Sequence, residues 1–107
     1  MQVLSETRSC LIQNEEDKVK LGAYQFSVTK NIKYNFETVK KAIIKASHKG
    51  VRLLVFPECA LTGYPPRDIK NSSVINFQEL NSVYEQLQSL ADKNAIHIII
   101  GTIIQEE

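Results

Sequence analysis

The sequence predicts an α/β fold in the order β-α-β-α-β, and three observations carry that prediction. Two stretches, Ile32 to Ala46 and Leu80 to Leu90, repeat apolar residues at spacings of three and four, the period of a helix lying on a sheet. Near-continuous apolar runs stand between and beyond them, clearest at Val51 to Phe56, as in strands that helices cover. Strands that alternate with helices imply parallel neighbours joined by right-handed crossovers.

Taken in order, Met1 to Lys18 is polar and charged with scattered apolar residues, and reads as an N-terminal extension ahead of a domain covering residues 19–107. Lys20 to Val28 reads as the first strand. Thr29 to Asn31 supplies capping side chains for a helix whose stripe is Ile32, Phe36, Val39, Ile43 and Ala46. Lys33, Glu37, Lys40, Lys41 and Lys45 lie off the stripe and form a solvated face. Gly50 fits the left-handed residue that ends a helix, and His48 a cation in its last turn.

Val51 to Phe56 then reads as a strand buried on both faces. Pro57 has no N–H for a ladder, so pairing stops there and Glu58 falls at a strand-to-loop junction. Thr62-Gly63-Tyr64-Pro65-Pro66 joins a glycine able to take positive φ to two stiffening prolines, a rigid loop with an aromatic suited to walling a pocket. Arg67 to Ser73 is a polar connection. Asn76, with Glu79 in capping-box spacing, opens a second helix bearing Leu80, Val83 or Tyr84, Leu87 and Leu90. Asp92 to Asn94 breaks it, and Ala95 to Ile104 reads as a last buried strand in which Gly101 permits a close backbone approach.

Ligands in open α/β sheets bind outside the carboxyl ends of the strands, which makes Glu58 a candidate for chemistry. The ordinary alternative is a solvated strand-end carboxylate, with Tyr64 a packing aromatic. Against it, Phe56, Pro57, Cys59, Ala60 and Leu61 are expected to desolvate Glu58, raise its pKa and so make it a usable general base. Cys59 reads as a core thiol, since adjacent residues in extended backbone point to opposite faces.

The run Val55-Phe56-Pro57-Glu58-Cys59-Ala60-Leu61-Thr62-Gly63-Tyr64 resembles the first catalytic motif of the carbon–nitrogen hydrolases, the nitrilase and amidase superfamily. The likeness extends to Leu21-Gly22-Ala23-Tyr24-Gln25, Asn35, Lys49-Gly50 and Ile98-Ile99-Ile100-Gly101, so that it covers residues 20–101. It implies the N-terminal portion of a four-layer αββα sandwich and a Glu-Lys-Cys triad that cleaves non-peptide amide or nitrile carbon–nitrogen bonds. Glu58 would be the general base and Tyr64 a wall of the substrate pocket. Lys70 and Lys93 do not stand at strand ends after Glu58, Cys10 lies in the extension, and the family's lysine and cysteine are expected beyond Glu107. Gly63-Tyr64-Pro65-Pro66-Arg67-Asp68 is similar to the glutaminase domain of glutamine-dependent NAD synthetases and equally to stand-alone amidases.

With 107 residues the chain amounts to at most one small domain. A formal charge of +1, with lysines spread along the chain, gives no basic stripe for nucleic acid. No apolar run reaches membrane-spanning length or forms a signal peptide, so a cytoplasmic protein is expected. Two cysteines and two histidines show no ligand spacing, so neither metal nor cofactor is expected. The chain alone is expected not to hydrolyse amides. An uncovered sheet face and edge would drive it to associate, as a homo-oligomer. The rival from another class is a non-catalytic α/β module that serves binding or assembly.

Overall fold

The computed structural model describes residues 7–13 and 18–104. One four-stranded sheet carries two helices, in the order β1 (Thr7–Gln13), β2 (Lys18–Tyr24), α1 (Ile32–His48), β3 (Leu53–Val55), α2 (Phe77–Lys93) and β4 (His97–Ile99), with a one-turn 3-10 helix at Ser72–Val74 ahead of α2. The strands lie side by side in chain order. β2, β3 and β4 are parallel, with Leu21, Leu53 and His97 in one register row and Ala23, Val55 and Ile99 in another. The predicted β-α-β-α-β unit is therefore present.

β1 is not legible in the sequence. It pairs antiparallel with β2, Thr7 opposite Tyr24 and Gln13 opposite Lys18, and gives the parallel unit an antiparallel edge. Its seven residues, Thr7-Arg8-Ser9-Cys10-Leu11-Ile12-Gln13, lack the apolar alternation that would mark a half-buried strand. The rest of the predicted extension before Lys18 lies outside the described residues.

Both helices form for local reasons the sequence states. The Asn31 side chain accepts the Tyr34 N–H at 2.9 Å, and the Asn76 side chain accepts the Glu79 N–H at 3.0 Å, each satisfying an orphan donor of a first turn. Ile32, Phe36, Val39, Ile43 and Ala46 are buried as their spacing predicts, and Leu80, Val83 and Leu87 face them from α2. In α2 the stripe runs on to Ala91, leaving Leu90 and Tyr84 at its margin. Gly50, at φ +80°, ends α1.

The strands depart from expectation in burial. Leu54 is fully buried beneath the helices, but Val55 beside it is 37% exposed, so β3 is covered on one face only. The same alternation exposes Val19 on β2 and Ile99 on β4. β4 is three residues long, where the apolar run predicts a buried strand over Ala95 to Ile104, and Ile104 is 73% exposed. It is the edge strand of the sheet, and among the described residues nothing pairs beyond it or packs on its outer face. Similarly, the extended run predicted to Val28 leaves the ladder after Tyr24. Tyr24, Phe26 and Phe56 pack their rings together there, with centroids about 6 Å apart.

Candidate functional site

β3 continues its partnership with β4 past its own last residue. The Phe56 N–H donates to the Ile99 carbonyl at 2.9 Å, and after Pro57 the Cys59 N–H donates to the Gly101 carbonyl at 3.0 Å. Glu58 is held between these two points. At Gly101 a Cβ would lie 3.1 Å from Glu58 Cα and 3.3 Å from its Cγ, so the close approach expected of this glycine is made to Glu58 itself.

Cys59 takes φ +54°, the left-handed region that non-glycine residues enter at a cost. Its carbonyl accepts the Gly63 N–H at 3.0 Å and the Thr62 N–H at 3.3 Å, closing a tight turn directly after Glu58. Gly63 follows at φ +85°, where a Cβ would meet Asp68 Cβ at 2.6 Å, so both dihedral and space demand glycine. Beyond it, Asp68 accepts the Tyr64 N–H at 2.8 Å while the Asp68 N–H donates to the Tyr64 carbonyl at 2.8 Å. The Arg67 guanidinium donates to Asp68 through Nε and Nη2, and with the Tyr64 N–H it holds that carboxyl below the usual range. The Pro65–Pro66 peptide is cis. The loop predicted to be rigid is thus knitted by its own polar groups.

The turn sends its residues two ways. Phe56, Cys59, Ala60 and Leu61 enter the helix-covered core, whereas Glu58 is exposed. This corrects the expectation that those neighbours desolvate the carboxylate: Glu58 is exposed, while the chain from the left-handed Cys59 through Ala60 and Leu61 turns into the core. Tyr64 is 42% exposed on the same loop, so both predicted site residues stand on the surface that follows the carboxyl end of β3. A cleft of about 440 Å³ lies at the opposite end of the strands, lined by Arg52, Asp92, Ile96 and His97 among others, away from Glu58.

Cys59 is buried, and burial pushes its thiol up, with the charges of Glu58 and Asp68 adding to the effect and Arg67 opposing it. A thiol held protonated is a poor nucleophile, which fits a packing role. The side chain of Cys10 lies outside the described residues.

Three buried polar groups are not marked as site residues by the sequence, although Gln25 and Asn35 fall within the family likeness. Asn35, on α1, is completely buried and bonded to Thr29 and Leu61. Tyr84, on α2, has a buried hydroxyl without a hydrogen-bond partner among the described residues, and burial pushes its phenol up to about 12, the charge of Cys59 contributing. Gln25, just past β2, likewise has a buried carbonyl oxygen without a partner among the described residues. A polar residue on an apolar helix stripe, as Tyr84 is, is the available signal.

Together these features define an α/β protein that presents a carboxylate where a parallel strand ends and a tight turn begins. The chain belongs to the carbon–nitrogen hydrolase family, whose model, described as "Carbon-nitrogen hydrolase", matches residues 20–107. It is 38% identical over 71 residues to a glutamine-dependent NAD(+) synthetase of Synechocystis sp. (strain ATCC 27184 / PCC 6803 / Kazusa), a match covering 64% of this chain and 12% of the synthetase. It is 34% identical over 76 residues to an arylacetonitrilase of Macrophomina phaseolina (strain MS6), covering 60% of this chain and 22% of the nitrilase. The chain thus spans about an eighth of the length of one of these curated relatives and about a fifth of the other. Among the described residues no helix is long and apolar enough to cross a membrane.

Proposed function

We propose that this chain is the base-bearing part of a carbon–nitrogen hydrolase that cleaves non-peptide amide or nitrile bonds through a Glu-Lys-Cys triad, with Glu58 as general base. The observation that carries the reading is the construction around Glu58: a turn pinned on both sides that sets this residue where the parallel strands end. The lysine and the nucleophilic thiol come from outside residues 18–104. The exposed apolar face bearing Val19, Val55 and Ile99 is where a second sheet would pack, completing a four-layer sandwich and enclosing Glu58 as it does so.

In that setting Glu58 takes the proton of the thiol, and the thiolate adds to the amide carbon. The carbon–nitrogen bond breaks as the amine leaves with that proton, and a thioester remains. Water then attacks the thioester, Glu58 taking its proton, so that the acid is released and the thiol restored. Tyr64 stands beside this chemistry as a wall for the substrate. The relatives suggest two substrate classes, the side-chain amide of glutamine and an arylacetonitrile.

The test is turnover by the full-length gene product on glutamine, simple amides and nitriles, beside its Glu58→Gln variant. Loss of about a hundredfold or more on Glu58→Gln is expected for a general base. Unchanged turnover would remove the role from Glu58. A second reading, a non-catalytic module for binding or assembly, is favoured by the exposure of Glu58. It predicts no turnover on any of these substrates and a product that forms stable complexes through the open sheet face.

A further inference from the structure

Asn35 is the one fully buried asparagine among the described residues, and each of its polar atoms is used twice. Its Oδ1 accepts the Thr29 N–H and the Thr29 hydroxyl, both at 2.9 Å. Its Nδ2 donates to the Thr29 carbonyl at 2.7 Å and to the Leu61 carbonyl at 2.9 Å. One side chain therefore ties three segments that the sequence keeps apart: the link after β2, helix α1, and the turn after β3. A primary amide suits this place because it donates twice from one atom and accepts twice at the other; a carboxylate would set an oxygen against two carbonyls, and a leucine would leave both unpaired.

The bond to Leu61 gives this clamp its consequence for the site. Leu61 is the third residue after Glu58 and lies within the turn whose left-handed residue is Cys59. A residue held in that region persists only where its surroundings over-determine it. On one side the Gly101 carbonyl fixes the Cys59 N–H; on the other, Asn35 fixes the Leu61 carbonyl. Both fastenings are within three residues of Glu58, and neither touches its carboxylate.

We propose that Asn35 is a positioning residue for Glu58, holding through Leu61 the strained turn that aims the carboxylate away from the helix-covered core. The proposal takes its catalytic meaning from the reading of Glu58 as general base, but the clamp is testable without any turnover.

The experiment is residue-resolved amide exchange and carbon-13 spectroscopy on the wild-type chain, Asn35→Leu and Thr29→Val. Asn35→Leu is expected to speed exchange of the Thr62 and Gly63 amides about tenfold, the equivalent of a lost buried hydrogen bond, while α2 amides such as that of Leu87 keep their protection. The Glu58 backbone and carboxyl resonances shift with them, and those of Glu37 and Glu79 do not. Thr29→Val, which removes the hydroxyl bonds to Asn35 and to the Asn31 backbone but keeps the Thr29 N–H and carbonyl bonds to Asn35, is expected to give the same local pattern at Thr62 and Gly63 at about threefold. Should Asn35→Leu loosen every amide equally, Thr29→Val decides: a local effect at Gly63 sustains the clamp, and a uniform or absent one overturns it. Loosening of the turn with unmoved Glu58 resonances overturns the positioning of the base. A confirmed clamp in a full-length protein that turns over no amide or nitrile would sustain this inference and sink the hydrolase reading, whereas unaltered exchange beside active enzyme does the reverse.

Discussion

Gly101 and Glu58 are packed so closely that a single added methyl would fall 3.1 Å from the Glu58 Cα and 3.3 Å from its Cγ. The first of these atoms belongs to a backbone fastened by the Cys59 N–H to the Gly101 carbonyl and by the Leu61 carbonyl to Asn35. It has little room to give. Gly101→Ala is therefore expected to cost about 1 kcal/mol or more of stability by overpacking. It should also displace Glu58, so that full-length protein loses kcat beyond what its melting temperature explains. Denaturant unfolding beside a kinetic assay separates the two, and an alanine variant equal to wild type in both would show that the turn yields freely.

A larger penalty is expected at Gly63, where two demands coincide. Its φ of +85° excludes a Cβ on conformational grounds, worth about 1 kcal/mol. The 2.6 Å approach to Asp68 Cβ adds a steric demand against a residue already bonded to Tyr64 and Arg67. Gly50, at φ +80° with nothing within 4 Å of the place a methyl would take, carries the first demand alone. Gly63→Ala should thus cost at least about 1 kcal/mol more than Gly50→Ala in urea titrations. Equal costs would mean that the loop 63–68 shifts without resistance.

The contrast between those glycines also shows what the sequence could and could not disclose. Helices α1 and α2 were legible because the spacing of Ile32, Phe36, Val39 and Ile43, and the caps Asn31 and Asn76, encode local geometry. The strand-end place of Glu58 was legible from Pro57 and the apolar run before it. Its exposure was not, since that depends on the left-handed turn at Cys59, a residue type that gives no warning of positive φ. Nor could the motif reveal that Val55 and Ile99 face outward, because a run of apolar residues looks alike whether both faces or one are covered within the described residues. The tie from Asn35 to Leu61 spans 26 positions, and no local pattern predicts such a bond.

Alkaline pH should report on the core beside the site. Burial raises the Tyr84 phenol from 10.0 to about 12 and also raises Cys59, so the folded chain keeps these protons where the unfolded chain has lost them. The stabilisation is fully present below the unfolded values. It declines as pH climbs through the ordinary phenol range toward about 12. Tyr84→Phe is expected to flatten this alkaline limb. At neutral pH it should leave stability unchanged or raise it by up to about 1 kcal/mol, because the hydroxyl it deletes is buried with no partner among the described residues. Melting curves between neutral and alkaline pH check both parts, and a large neutral-pH loss would reveal a hydrogen bond to the Tyr84 hydroxyl.

The open face of the sheet makes the final expectation. Val55 is 37% exposed and Ile99 54% exposed, and they lie in one register row on adjacent parallel strands, with Val19 exposed on β2. Apolar neighbours in a row on an uncovered sheet are an association surface rather than scattered exposure. A lysine at either position keeps its stem on the sheet and carries its charge into water, so Val55→Lys and Ile99→Lys should each leave folding stability within about 0.5 kcal/mol of wild type. Each should lower the mass-average size of the 107-residue chain in light scattering. In the full-length protein the same lysines would be driven into an apolar interface between sheets and should destabilise it by several kcal/mol. A lysine harmless in both settings would show that no second layer covers this face, and with it the four-layer arrangement around Glu58 would fall.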